Sequence, residues 1–110
     1  MLLKRVVTAL ALSMVAVAAN AAGVMKGDPD AGAELVASCT ACHGTDGNSL
    51  APAFPKIAGL GERYLLKQMK DIRDGRRPVA LMVGQVDNMT DQQLADIAAF
   101  YDSQERTSGT

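Results

Sequence analysis

The stretch SCTACHG holds both cysteines of the 110-residue chain, Cys39 and Cys42, and its single histidine, His43. Two thiols three positions apart, with an imidazole directly after the second, can do few kinds of chemistry. C-x-x-C-H is the spacing at which two cysteine sulfurs add to the two vinyl groups of one porphyrin while the next imidazole takes the iron from one face. Thiol–disulfide exchange through C-x-x-C needs a preceding strand in a βαβ setting, and none is visible here. A structural zinc site needs about four ligands, more than the two cysteines and one histidine can supply. Two neighbouring thiols without such a role would simply oxidise in an exported chain. The expectation is one haem c, held covalently through Cys39 and Cys42, with His43 as an axial ligand.

The N-terminus supports export. Lys4 and Arg5 precede an apolar run from Val6 to Ala19, and ANAA offers a small-residue cleavage site after Ala21. The run is shorter than the ~20 apolar residues of a spanning helix and is rich in Ala. Residues 1–21 are therefore expected to be a cleaved signal peptide, residues 22–110 a single domain, and the periplasm its compartment, with no stable membrane insertion after cleavage. A domain this small, with no Trp and four aromatic side chains, has too little apolar mass of its own and calls for a cofactor at its centre.

Charge excludes another class. The full chain is at −1, and loss of Lys4 and Arg5 makes the remainder more acidic, so no nucleic-acid footprint is present. The bases cluster: Lys56, Arg63, Lys67, Lys70, Arg73, Arg76 and Arg77 face only Glu62, Asp71 and Asp74 in that span. Such a segment could dock on an acidic partner, or could be an ordinary solvated helix face.

Three helices must position the chemistry. The first opens at Asp28 as N-cap with Pro29 in the first helical position and runs to about Cys39; Gly32 within it suggests close approach by another helix. The second is GERYLLKQMKDIRDG, with Leu65, Met69 and Ile72 on one stripe and Gly75 as its stop. The third starts with the capping box of Thr90 and Gln93 and buries Leu94, Ile97, Ala98 and Tyr101. The tail SQERTSGT is expected to fray. Between the helices lie two long loops without a convincing strand, which are unusual in so small a chain unless they wrap something.

The other face of the iron has no second histidine available. Met69 lies on a packing stripe, Met25 is next to the cleavage site, and Met89 occupies the staple position before the third helix. Met82, in mid-loop between Leu81 and Val83, is the freest to turn inward, with Met89 the other candidate.

CTACHGTDGNS, PAFPKIAGLGERYLLKQMKDIRDG, and Met82 followed by NMTDQQLADIAAFY together resemble the small class I bacterial c-type cytochromes. The likeness is to cytochrome c-553 and to the half-domains of dihaem cytochromes, and it spans Asp28 to Gln104. The resemblance implies an all-α, cytochrome c-like fold of three main helices and loops around one covalent haem. It places the distal ligand on Met82 and the carbonyl that receives the axial histidine's ring N–H on Pro52, and it packs Gly32 against Phe100 or Tyr101. A second C-x-x-C-H is absent, so two-haem functions are not expected. The implied activity is one-electron transfer between redox proteins, such as a membrane oxidase, a reductase or a periplasmic dehydrogenase, by a monomer that is not an enzyme. The alternative is a cytochrome subunit permanently bound to a periplasmic dehydrogenase. A sensor or peroxidase would need an open sixth position.

Overall fold

The computed structural model describes residues 25–108. The expected signal peptide lies outside the described residues. Four α-helical segments follow in order: α1 (Pro29–Ala33), α2 (Ala37–His43), α3 (Glu62–Arg73) and α4 (Asp91–Asp102), with one 3₁₀ turn at Ala80–Met82. Among the described residues there is no strand, and no helix is long and apolar enough to cross a membrane.

The helix expected from Asp28 to Cys39 is two helices. Asp28 caps α1, its side chain accepting from the Asp30 N–H, with Pro29 in the first turn as anticipated. After Ala33 the backbone tightens: Glu34 and Leu35 donate to carbonyls only three residues back, Ala31 and Gly32. This ends the α ladder, and α2 restarts at Ala37. Val36, at the break, enters the core, and α2 carries the cysteines and His43.

The central element is α4. The Thr90–Gln93 capping box is fully formed, and every residue from Leu94 to Ala99, together with Tyr101, is buried. The main core cluster joins Ile97, Ala98 and Tyr101 of α4 to Val36 and to Leu65 of α3, with Met69 and Met89 packed against it. On the other side, α1 lies backbone to backbone on α4. A Cβ on Gly32 would stand 2.0 Å from the Asp96 carbonyl oxygen and 2.9 Å from Phe100 Cβ. Gly32 thus meets Phe100 and not Tyr101. The buried Asp96 carboxylate fixes the same junction, accepting from the Asp28 N–H and from Gln92 Nε2, both at 2.9 Å. Gly75, at φ 78°, ends α3 as expected.

The tail departs from expectation. Residues 103–107 are tied to the loop that follows α2: Asn48 Nδ2 donates to the Glu105 carbonyl at 2.9 Å, the Thr107 N–H donates to Asn48 Oδ1 at 2.8 Å, and Arg106 Nη1 donates to the Ala58 carbonyl at 3.2 Å. Higher up, Gly59 N–H donates to the Tyr101 carbonyl and Gly61 N–H to Asp102 Oδ1. Polar composition suggested fraying, but these same polar groups satisfy the backbone of the loop after His43.

Candidate haem attachment site

Helix α2 places Cys39, Cys42 and His43 within little more than one turn. Residues three and four apart share a helical face, so both sulfurs and the imidazole rise from neighbouring positions on one short rod. Cys39 and Cys42 are half-buried free thiols. Burial pushes the Cys39 thiol up, which keeps it protonated near neutral pH.

His43 closes α2 and is 8% exposed. Its Nδ1 lies 3.0 Å from the Pro55 carbonyl oxygen. A carbonyl can only accept, so Nδ1 carries the proton and Nε2 keeps its lone pair for a metal. This moves the assignment from Pro52 to Pro55, whose carbonyl is the one that faces the ring. The loop turns outward at residues 51–54: the Phe54 N–H bonds the Ala51 carbonyl at 3.0 Å, and the Ser49 hydroxyl sits within bonding distance of the Ala51 and Phe54 carbonyls. It then returns, with Ile57 and Ala58 N–H donating to the Gly47 carbonyl at 2.7 and 3.0 Å. Pro55 is on the returning limb and Pro52 on the outward turn.

Two features fit these residues to a large, mostly apolar plate. Leu50, whose N–H bonds the Cys42 carbonyl, is 68% exposed, as is Leu81, and Val83 is 73% exposed. These are apolar side chains around the attachment turn and beside Met82 that a haem would cover. Deeper in, the buried Tyr101 hydroxyl has no well-formed hydrogen bond among the described residues; it lies against the Cys39 thiol, and burial raises its pKa well above the usual tyrosine range. An orphaned polar atom at the attachment cysteine marks a place where a further group belongs. Met82 is half-buried in the 3₁₀ turn and, unlike Met69 and Met89, does not pack against the core cluster.

The basic segment is not the open patch its composition suggests. Asp71 pairs with Lys67 and Arg76, Asp74 with Arg73 and Arg76, and Asp91 with Arg73 and Lys70. Four of its bases are thus engaged by three carboxylates. Each carboxyl is held below the ordinary range, Asp71 by its bonds to Lys67 and Arg76, Asp74 and Asp91 chiefly by Arg73. Sequence reading missed Asp91 as a partner because it belongs to another helix.

An all-α fold around a C-x-x-C-H turn, with the histidine's Nδ1 tied to a proline carbonyl, defines a c-type haem protein. The chain belongs to the cytochrome c family, whose profile matches residues 29–105, and covalent haem c comes with that membership. It is 60% identical over 83 residues to cytochrome c4 of Pseudomonas aeruginosa, covering 76% of this chain and 41% of that protein. It is 45% identical over 82 residues to cytochrome c-554(548) of Halomonas halodenitrificans, covering 72% of this chain and 99% of that protein. A thiosulfate dehydrogenase electron acceptor of Thiomonas intermedia is 39% identical over 59% of this chain and 30% of its own length. The crystal structure of reduced recombinant cytochrome c4 from Pseudomonas stutzeri superposes with a TM-score of 0.73 at 52% identity, over 76% of this chain and 48% of that one. The chain spans less than half the length of the cytochrome c4 relatives, and so resembles one half-domain of a dihaem cytochrome.

Proposed function

We propose that this chain is an exported one-electron carrier in which Cys39 and Cys42 hold a single haem c and His43 and Met82 are its axial ligands. When bound, the haem supplies an iron that cycles between ferrous and ferric states. The protein's part is to fix and shield it. The Pro55 carbonyl holds the His43 ring in one tautomer and orientation and makes Nε2 a better donor. The Met82 thioether, a soft ligand, favours the reduced state. With His43 and Met82 both holding the iron, no position on it would be left for a substrate, which favours a carrier over an enzyme. The observation that carries the reading is the 3.0 Å contact between buried His43 Nδ1 and the Pro55 carbonyl, which leaves Nε2 free beside two thiols.

Residues 1–21 would direct export and be removed, leaving residues 22–110 in the periplasm to exchange electrons with other redox proteins. The name of the Thiomonas relative favours a dehydrogenase as one such partner. It also keeps a second arrangement in view, in which the chain is a fixed subunit of that enzyme; co-purification of a catalytic chain distinguishes the two.

The test is the visible spectrum and intact mass of the exported protein. One covalently attached haem, a reversible one-electron titration and loss of attachment in Cys39→Ser/Cys42→Ser are expected. Haem that is extracted intact by acidified organic solvent from the parent protein would overturn the assignment.

A further inference from the structure

Residues 74–90 form the loop that carries Met82 from the end of α3 to the cap of α4. Apart from the burial of Val86, its tip is held by its own short-range bonds. Met82 N–H donates to Val79 at 2.9 Å, Val83 N–H to Ala80 at 3.4 Å, Gln85 N–H to Met82 at 3.1 Å and Met89 N–H to Val86 at 3.1 Å. Among the described residues, the hydrogen bonds of residues 78–88 all stay within the 74–90 loop itself.

The neck of the loop is built differently. Arg73, the last residue of α3, reaches both of its ends. Nε lies 2.8 Å from Asp74 Oδ1 and Nη2 lies 3.2 Å from Asp74 Oδ2, where the loop departs. Nη1 donates to the Met89 carbonyl at 3.1 Å and stands 2.7 Å from Asp91 Oδ1, where the loop returns. The side chain is only 16% exposed. Lys70, one turn earlier, adds a 3.5 Å contact to Asp91. A guanidinium presents five donors in a rigid plane and can serve several acceptors arriving from different directions, which an ammonium cannot do with the same geometry.

We infer that Arg73 is a positioning residue for the iron's second axial ligand. By clasping Asp74 where the loop leaves α3 and the Met89 carbonyl and Asp91 where it returns, it holds the Met82 sulfur in place for the iron and keeps outside ligands from it. This rests on the assignment of Met82 made above. A loop with a weakly anchored tip opens by local unfolding, and an outside ligand binds only the open form, so its apparent affinity follows the open fraction. Releasing the neck raises that fraction.

The probe is cyanide, titrated into the oxidised holoprotein while the thioether–iron absorption band is followed. Arg73→Met is expected to bind cyanide about tenfold more tightly than the parent and to weaken the band, the change expected from losing charge-assisted bonds to two carboxylates and a carbonyl. Arg73→Lys, keeping the charge but not the fork, falls between. Ile97→Val trims the core while leaving every bond of the neck in place, and should lower the melting temperature with no change in cyanide affinity. The inference is overturned if Arg73→Met retains the parent's affinity and band, or if Ile97→Val raises affinity as much as Arg73→Met does. Should Arg73→Met yield no holoprotein, Asp91→Asn reads the same neck: tighter cyanide binding supports the inference and an unchanged affinity overturns it. Met82→Ala separates the two assignments. If that variant keeps the band, the ligand assignment has failed and the inference with it; if it loses the band while Arg73→Met does not, only the role of Arg73 has failed.

Discussion

The ring nitrogen Nδ1 of His43 meets the carbonyl oxygen of Pro55 at 3.0 Å, twelve residues further along the chain. That contact sets which proline matters. Pro52→Ala is expected to leave the spectrum and potential of the holoprotein unchanged, because the carbonyl that meets His43 belongs to Pro55. Pro55→Ala frees the backbone behind the carbonyl and should cost about 1 kcal/mol in stability. It should also raise the potential, since a His43 less tightly bonded at Nδ1 donates less to the ferric iron. Redox titration of the two variants checks this, and equal shifts in both would contradict the geometry.

The close approach of α1 to α4 leaves no room for a side chain. A Cβ at position 32 would be 2.0 Å from a backbone oxygen that cannot swing aside, so Gly32→Ala forces α1 off α4 in spite of alanine's better helix propensity. A loss of about 2–3 kcal/mol is expected, read by denaturant unfolding of the oxidised holoprotein. Gly75→Ala gives a useful contrast: nothing lies within 4 Å of its Cβ position, and its cost comes only from the left-handed backbone, φ 78°.

Much of this was readable in the chain, and the failures share one cause. The capping box at Thr90, the Asp28–Pro29 start, the buried stripe of α4 and the stop at Gly75 depend on residues within a few positions of one another, and they stand where the pattern placed them. The division of α1 from α2 at residues 34–36 depends on Gly32 and Val36 being pulled into different contacts. Pro52 and Pro55 are three residues apart in the same APAFP segment, and only the return of Ile57 onto Gly47 decides between them. The tail and the Asp91 ion pairs were misjudged for the same reason, because their partners are distant in sequence. The C-x-x-C-H turn was legible because covalent attachment compresses its chemistry into five residues.

The ionic clasp predicts an acid limit. Asp71, Asp74 and Asp91 have carboxyls held below the ordinary value of 3.8 by Lys67, Arg73, Lys70 and Arg76. A carboxyl whose pKa is depressed on folding contributes stability that is fully present above its unfolded value and is lost as pH falls through the folded one. Melting temperature should therefore hold down to about pH 4 and drop below it. Added salt should shrink the drop, because these groups are near solvent. Asp91→Asn should show a shallower decline. A melting temperature independent of pH across the acid range in the parent would show that the pairs contribute nothing.

The two loop methionines give the decisive comparison. Met89 packs against the core cluster just before the cap of α4, while Met82 sits outside that cluster between exposed Leu81 and Val83. If Met82 is the ligand opposite His43, Met82→Ala opens the ferric iron to cyanide, removes the thioether–iron band and lowers the potential, because a soft donor that favoured the ferrous state has gone. Met82→His should restore a closed iron at a distinctly lower potential than the parent. Met89→Leu conserves volume at a packing position and should cost about 1 kcal/mol or less without touching the spectrum. Spectra and redox titrations of the three variants settle the matter. Loss of the band in Met89→Leu, with Met82→Ala unchanged, would move the ligand to Met89 and leave Met82 as a surface residue of its loop.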